Sequence, residues 1–121
     1  MADPPTYVES CVFCQIVRGQ ARATILHQDE QVVAFRDIHP AAPTHILVIP
    51  ARHISSLNDL GGSDEPLLGM MIRTAHELAV REKVDGSGYR IVMNTGPEAG
   101  QSVEHLHLHL LAGRRMHWPP G

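Results

Sequence analysis

A chain of 121 residues, 43% hydrophobic and 19% charged, is long enough for one buried core and too apolar for wholesale disorder. Its formal charge of -3, with no run of Lys or Arg, gives no electrostatic footprint for nucleic acid or an anionic membrane, so small molecules are the expected partners. No apolar stretch approaches the roughly 20 residues that span a bilayer, and Met1-Ala2-Asp3-Pro4-Pro5 lacks the basic and apolar parts of a signal peptide, so a cytoplasmic location is expected.

In chain order, Ser10 as cap and Gly19 as stop predict a short helix over residues 11–18. Cys11 and Cys14 fall on that helix, too few for a disulfide framework, and their x-x spacing leaves three readings open. A redox pair would need a strand feeding into the motif. A metal pair on the first turn would turn both thiolates to one side and draw on the nine histidines for further ligands. The bland reading is two half-buried residues packing as small apolar groups. Residues 31–37 alternate and are β-branched, which predicts a strand ending at Asp37-Ile38-His39-Pro40. Residues 43–50 are apolar enough to be buried on both faces and are bounded by prolines, so they form a second strand and a hairpin with the first.

Residues 63–84 predict the longest helix, with Ser63 or Asp64 as cap and Pro66 in the first turn. Leu67, Leu68, Met71, Ile72, Ala75, Leu78 and Ala79 share its apolar face, where the methionines are core packing, and His76, beside the charged face, reads as a solvated or packing residue. Asp85-Gly86-Ser87-Gly88 is a turn, and residues 89–94 read as a third strand. The loop of residues 95–102 contains glycines, whose missing Cβ lets backbone N–H groups approach an anion.

That loop leads into Ser102-Val103-Glu104-His105-Leu106-His107-Leu108-His109-Leu110-Leu111. In an extended strand this spacing sets three imidazoles on one face and Leu106, Leu108 and Leu110 on the other. A neutral imidazole is a good nucleophile near pH 7, and the phosphoryl-imidazole it forms is labile to water. All three as ligands of one ion is disfavoured, because same-face neighbours on a strand lie about 7 Å apart at Cβ.

The chain resembles the histidine-triad superfamily, whose signature stands here as His105-Leu106-His107-Leu108-His109-Leu110-Leu111. It is most similar to the HINT branch in Asp37-Ile38, Ala42 and Pro43 through Pro50 with His53, Asn94, Gly100-Gln101-Ser102-Val103, and the ending His117-Trp118-Pro119-Pro120-Gly121. The resemblance runs from about Cys11 to Gly121. It implies a single domain over 1–121, with 1–9 a flexible start and 112–121 a C-terminal tail. The implied fold is α+β, a mostly antiparallel five-stranded sheet with one long and one short helix per subunit, assembled as a homodimer. The implied activity is hydrolysis of the P–N bond of purine nucleoside 5′-phosphoramidates, of AMP-amine or AMP-lysine type, through a covalent nucleotidyl-histidine. The resemblance also allows a nucleotide-binding scaffold with incidental turnover. Dinucleoside polyphosphate hydrolysis, as in the fragile-histidine branch, is disfavoured by the His-Trp-Pro-Pro-Gly ending.

By the same resemblance His107 is the nucleophile, held in one tautomer by backbone around His105, while His109 and Ser102 contact the phosphate or leaving group and His45 lies behind. Asn94 and the amides of Gly100, Gln101 and Ser102 would cradle the phosphate oxygens. Asp37 would take the ribose hydroxyls, and Val12, Phe13, Ile16, Phe35 and Ile38 would wall in the base. Trp118 would reach toward the active site across the dimer. Adenine over guanine is a family expectation, since nothing in the apolar wall reads a base edge. Some members bind zinc, and the matching positions are Cys11, Cys14, His53 and His105, a structural set that would pin the first helix to the sheet. No cofactor is expected for catalysis.

Overall fold

The first helix, α1 (Val12–Val17), is started by Cys11 and not by Ser10, because the Cys11 sulfur accepts the Cys14 N–H at 3.4 Å. It stops where Gly19 turns to a φ of 72°, a left-handed conformation that glycine adopts without strain. The computed structural model describes residues 6–121, so Met1 through Pro5 of the predicted flexible start lie outside the described residues. Thr6 accepts the His53 N–H at 3.0 Å, and Val8 bonds to both Cys11 and Cys14.

Five strands follow: β1 (Ile25–Gln28), β2 (Val32–Arg36), β3 (Thr44–Pro50), β4 (Tyr89–Val92) and β5 (Leu108–Ala112). They form one antiparallel sheet in the order β1-β2-β3-β5-β4. The predicted hairpin is the β2–β3 pair. β1 has no counterpart among the elements read residue by residue: it is a four-residue edge strand with a bulge between Ile25 and His27, and its half-exposed residues show no clear alternation. All seven residues of β3 are buried, as its continuous apolar run requires.

The long helix α2 (Glu65–Arg81) is shorter than residues 63–84 at both ends. A 3-10 turn, Gly62–Asp64, precedes it, and the Asp64 carboxylate accepts the Gly61 N–H and pairs with Arg52 in place of capping the helix. At the other end Lys83 takes a φ of 60° and turns the chain back. Leu67, Met71, Ala75, Leu78 and Ala79 face the sheet as predicted. Ile72 does not, being 50% exposed about 100° round the helix from Met71. His76 is exposed as expected. Among the described residues no helix is long and apolar enough to cross a membrane.

The period-2 alternation of the strands separates two cores. Val32, Ala34, Ile46, Val48, Leu108 and Leu110 pack against α2, and Val33, Phe35, Leu47 and Ile49 pack against Phe13 and Ile16 of α1. Residues opposite one another in a ladder share a face, so Leu47↔His109 puts His109 on the α1 side. His45, two residues before Leu47, shares that side.

β5 begins six residues later than the predicted strand over 102–111. Leu106 spends its N–H on Ile54 O, and the His105 carbonyl is taken by the His107 ring, so neither group is left for a strand ladder. The three leucines nonetheless turn inward, at 1%, 0% and 0% exposure for Leu106, Leu108 and Leu110. Beyond β5, Gly113 at a φ of 92° lies against Pro43, and the Arg114 guanidinium donates to Ala41 O, which fastens the start of the tail.

Candidate active site and metal cluster

The hydrogen-bond partners of the histidines fix which nitrogen of each carries a proton. His107 Nδ1 lies 2.7 Å from the His105 carbonyl, which can only accept, so Nδ1 holds the hydrogen and Nε2 is the nitrogen that carries the lone pair in the neutral ring. The Ala41 N–H donates to His45 Nδ1 at 3.0 Å, so His45 carries its hydrogen on Nε2, 2.9 Å from His109 Nδ1. His109 accepts there and keeps a hydrogen on its own Nε2. A short chain of bonds thus runs from a backbone amide through two imidazoles, while a third imidazole, His107, stands beside it.

Packing holds these rings in place. The His107 ring is 4% exposed, edge-on to Phe13 at 5.3 Å and to His109 at 5.0 Å. Burial holds His109 down to about 4, with His107 and His45 adding to the fall and Asp37 opposing it. Burial likewise lowers His45 from the usual histidine range, again against Asp37, whose Oδ2 lies 3.4 Å from His45 Nε2. His45 and His109 are therefore uncharged near pH 7, and His109 acts as a neutral hydrogen-bond donor.

A cleft of about 290 Å³ opens onto His107, His109 and Ser102. Val12, Phe13 and Ile16 of α1 form one wall, with Phe35, Asp37 and Ile38 at the end of β2 opposite. The sheet pattern explains this grouping: Phe35 and Leu47 point to the α1 side, as does His109. The Asp37 carboxylate accepts the His39 N–H through Oδ1 at 2.8 Å and keeps lone pairs for further donors.

Other residues singled out in the sequence stand elsewhere. Asn94, Gly100 and Gln101 are outside the cleft lining. The Gln101 side chain braces its own loop, accepting the Gly96 N–H at 3.0 Å and donating to Ser55 O and Val103 O. Trp118 is 81% exposed on the tail and does not meet the cleft of its own chain. Sequence reasoning missed Leu47, Val103, Arg22, Ala23, Arg36 and His39 as lining residues. The β3–β5 register points to Leu47 once the histidines are placed. Arg22 carried no signal, because it lies in the irregular segment between α1 and β1.

Directly behind the cleft, Cys11, Cys14, His53 and His105 bring four ligand atoms within 4.8 Å of one another. α1 and its N-cap residue supply the two sulfurs, the turn after β3 supplies His53, and the segment before β5 supplies His105. Cys11 Sγ and Cys14 Sγ lie 3.4 and 3.6 Å from His105 Nδ1, and Cys14 Sγ lies 3.4 Å from His53 Nδ1. A tetrahedral zinc with ordinary Zn–S and Zn–N lengths has S···N edges of about 3.5 Å. The His105 Nε2–H is given to Pro50 O at 2.9 Å, which leaves Nδ1 bare toward the sulfurs. Burial lowers His105 to about 4 and lowers His53, so both imidazoles are in the neutral, ligating form, and burial raises the Cys14 thiol. The donor set therefore fits a structural metal, and among the described residues no strand feeds the Cys pair as a redox motif would need.

Asp37, His45 and His109 also lie close together, but there the 2.9 Å contact is a hydrogen bond. The three histidines of the row do not converge on one ion. His105 turns its ring to the cysteines, and His107 and His109 turn theirs to the cleft. His105 belongs to both halves of the site, giving its ring to the cluster and its carbonyl to His107.

Residues 10–117 match the family described as "Scavenger mRNA decapping enzyme C-term binding". A solved HIT family hydrolase from Legionella pneumophila Philadelphia 1 superposes with a TM-score of 0.90 at 47% identity, covering 93% of this chain and 100% of that one. The purine nucleoside phosphoramidase of Escherichia coli strain K12 is 46% identical over 106 residues, 88% of this chain and 89% of that protein. The 14 kDa zinc-binding protein of Zea mays is 43% identical over 122 residues, 98% of this chain and 90% of that protein.

Proposed function

This chain belongs to the histidine triad family of hydrolases, and we propose that it hydrolyses the P–N bond of purine nucleoside 5′-phosphoramidates, of AMP-amine or AMP-lysine type, through a nucleotidyl group carried on His107. The observation that carries this reading is the 2.7 Å bond from His107 Nδ1 to the His105 carbonyl, which leaves Nε2 as a lone pair at the cleft.

Nε2 attacks phosphorus, the P–N bond breaks with its electron pair on nitrogen, and the departing amine takes up a proton. His107 then bears the nucleotidyl group as an imidazolium whose Nδ1–H still points at a carbonyl, a contact that favours the positive charge as it forms. Water attacks the same phosphorus, the N–P bond breaks, a proton is released, and the neutral imidazole returns. His109 and Ser102 line the same cleft and are read as donors, through Nε2–H and the hydroxyl, to the phosphoryl oxygens or the leaving nitrogen. Asn94 and the amides of Gly100, Gln101 and Ser102 are read as the adjoining phosphate cradle, with the Gly100 and Gln101 N–H groups first giving up the 3.1 Å bonds they make to Pro97 O and Gly96 O. Asp37 takes the ribose hydroxyls, and Val12, Phe13, Ile16, Phe35 and Ile38 hold the base.

Cys11, Cys14, His53 and His105 hold a structural zinc in this reading, which crosslinks α1 to the sheet and leaves the chemistry to the histidines. A cysteine pair that must stay reduced to hold zinc suits a reducing compartment, in line with a cytoplasmic protein. The chain works as one domain over 1–121 and as a homodimer, with the exposed Trp118 directed to the partner subunit. The test is turnover of adenosine 5′-phosphoramidate by His107→Asn, which should fall by at least about two to three orders of magnitude. A variant that keeps the wild-type rate removes the mechanism.

A further inference from the structure

We propose that Arg22 reads the edge of the base and makes guanine the preferred purine, an inference that rests on the nucleotide reading of the cleft. The cleft runs across the sheet. His107 and His109 stand at β5, Leu47 on β3 and Phe35 on β2, and Arg22 and Ala23 precede β1. Three strand spacings, about 14 Å, separate the β5 and β1 ends. A 5′-nucleotide with its phosphorus at His107 and its ribose at Asp37 therefore extends its base toward the β1 end. The bond from Arg36 N–H to Thr24 O ties the segment holding Arg22 against that end of β2.

Two guanidinium groups line the cleft, and only one has a hydrogen-bond or ion-pair partner among the described residues. Arg36 is held by Glu82 at 2.6 Å, whereas Arg22 makes no hydrogen bond or ion pair. Arg22 is exposed where it borders the cleft beside the apolar Ile16, Phe35 and Ile38, so its guanidinium is free to turn onto a base held against them. Guanidinium is donor-only and forked. Guanine offers two adjacent acceptors, O6 and N7, whereas adenine sets an amino donor beside N7. The cleft thus contains a group that discriminates the purines after all, in the direction opposite to the adenine expectation.

The experiment measures kcat/KM for guanosine and adenosine 5′-phosphoramidates with one common amine, in wild type, Arg22→Ala and Arg22→Lys, together with equilibrium binding of GMP and AMP. Wild type should favour guanosine by at least about five-fold, the low end for a forked Arg–guanine pair, and both variants should bring the ratio toward one. Arg22→Lys keeps the charge and loses the fork, so it should behave like Arg22→Ala. A guanosine preference that survives in Arg22→Ala, a wild-type ratio at or below one, or an equal loss on both substrates overturns the proposal. If wild type turns over neither substrate, the hydrolase reading fails, and the GMP to AMP binding ratio in wild type and Arg22→Ala still decides the base contact.

Discussion

Removal of the metal is the perturbation whose size follows most directly from the structure. The four ligand atoms join α1, the turn after β3 and the approach to β5, so an ion held there ties together three segments far apart in the chain. At free zinc about a thousand times Kd, mass action contributes about 4 kcal/mol to folding. For a domain of 121 residues, 1 kcal/mol moves Tm by about 3–5 °C, so chelation should lower Tm by about 12–20 °C. Cys14→Ser, at a position 1% exposed, should lose the bound zinc and with it the response to chelator. The assay is metal content by elemental analysis followed by thermal unfolding with and without chelator. Protein purified with well under one zinc per chain, with a Tm indifferent to both chelator and added zinc, would rule out a structural metal and leave the cluster as a hydrogen-bonded thiol set.

Three further outcomes are expected. Burial holds His109 at about 4 against about 6.5 for an unfolded histidine, so the unfolded chain binds the extra proton between those values. The associated stability is complete above about pH 6.5 and is lost as the pH falls toward about 4; with partial exposure discounted, the unfolding free energies of wild type and His109→Gln from urea titrations should diverge by about 1–2 kcal/mol over that window, wild type losing more. His45→Phe removes both the acceptor for the Ala41 N–H and the donor to His109, and kcat should fall about 5- to 100-fold with KM little changed, His45→Gln recovering part of it. Gly113→Ala adds a Cβ 2.8 Å from Pro43 Cβ at a φ of 92° and should cost at least about 2 kcal/mol in denaturant unfolding.

Where the chain was legible, the pattern matched the physics that decides it. The apolar run of residues 44–50 demanded burial on both faces, and β3 lies at the centre of the sheet with α1 on one side and α2 on the other. The leucines alternating with the histidines kept their inward side even though only the last histidine is in a strand, because burial of Leu106 does not depend on ladder bonds. β1 was illegible because an edge strand with a bulge needs no apolar alternation. Ser10 looked like the helix cap on propensity, but the Cys11 sulfur does that work from a position the cluster already fixes. Ile72 looked like core because an apolar residue at a plausible helical spacing was counted without the exact width of the buried stripe. At the site, residues in strands were placed by register, whereas Arg22 sits in an irregular segment whose direction no periodicity reports.

The central claim is a bond between phosphorus and His107 Nε2, and the most direct measurement is mass spectrometry of protein quenched during turnover of a phosphoramidate with a slow second step. One nucleotidyl group is expected on the peptide that holds His107, absent in His107→Asn. Active protein that never carries the adduct, or an adduct on another residue, would contradict it.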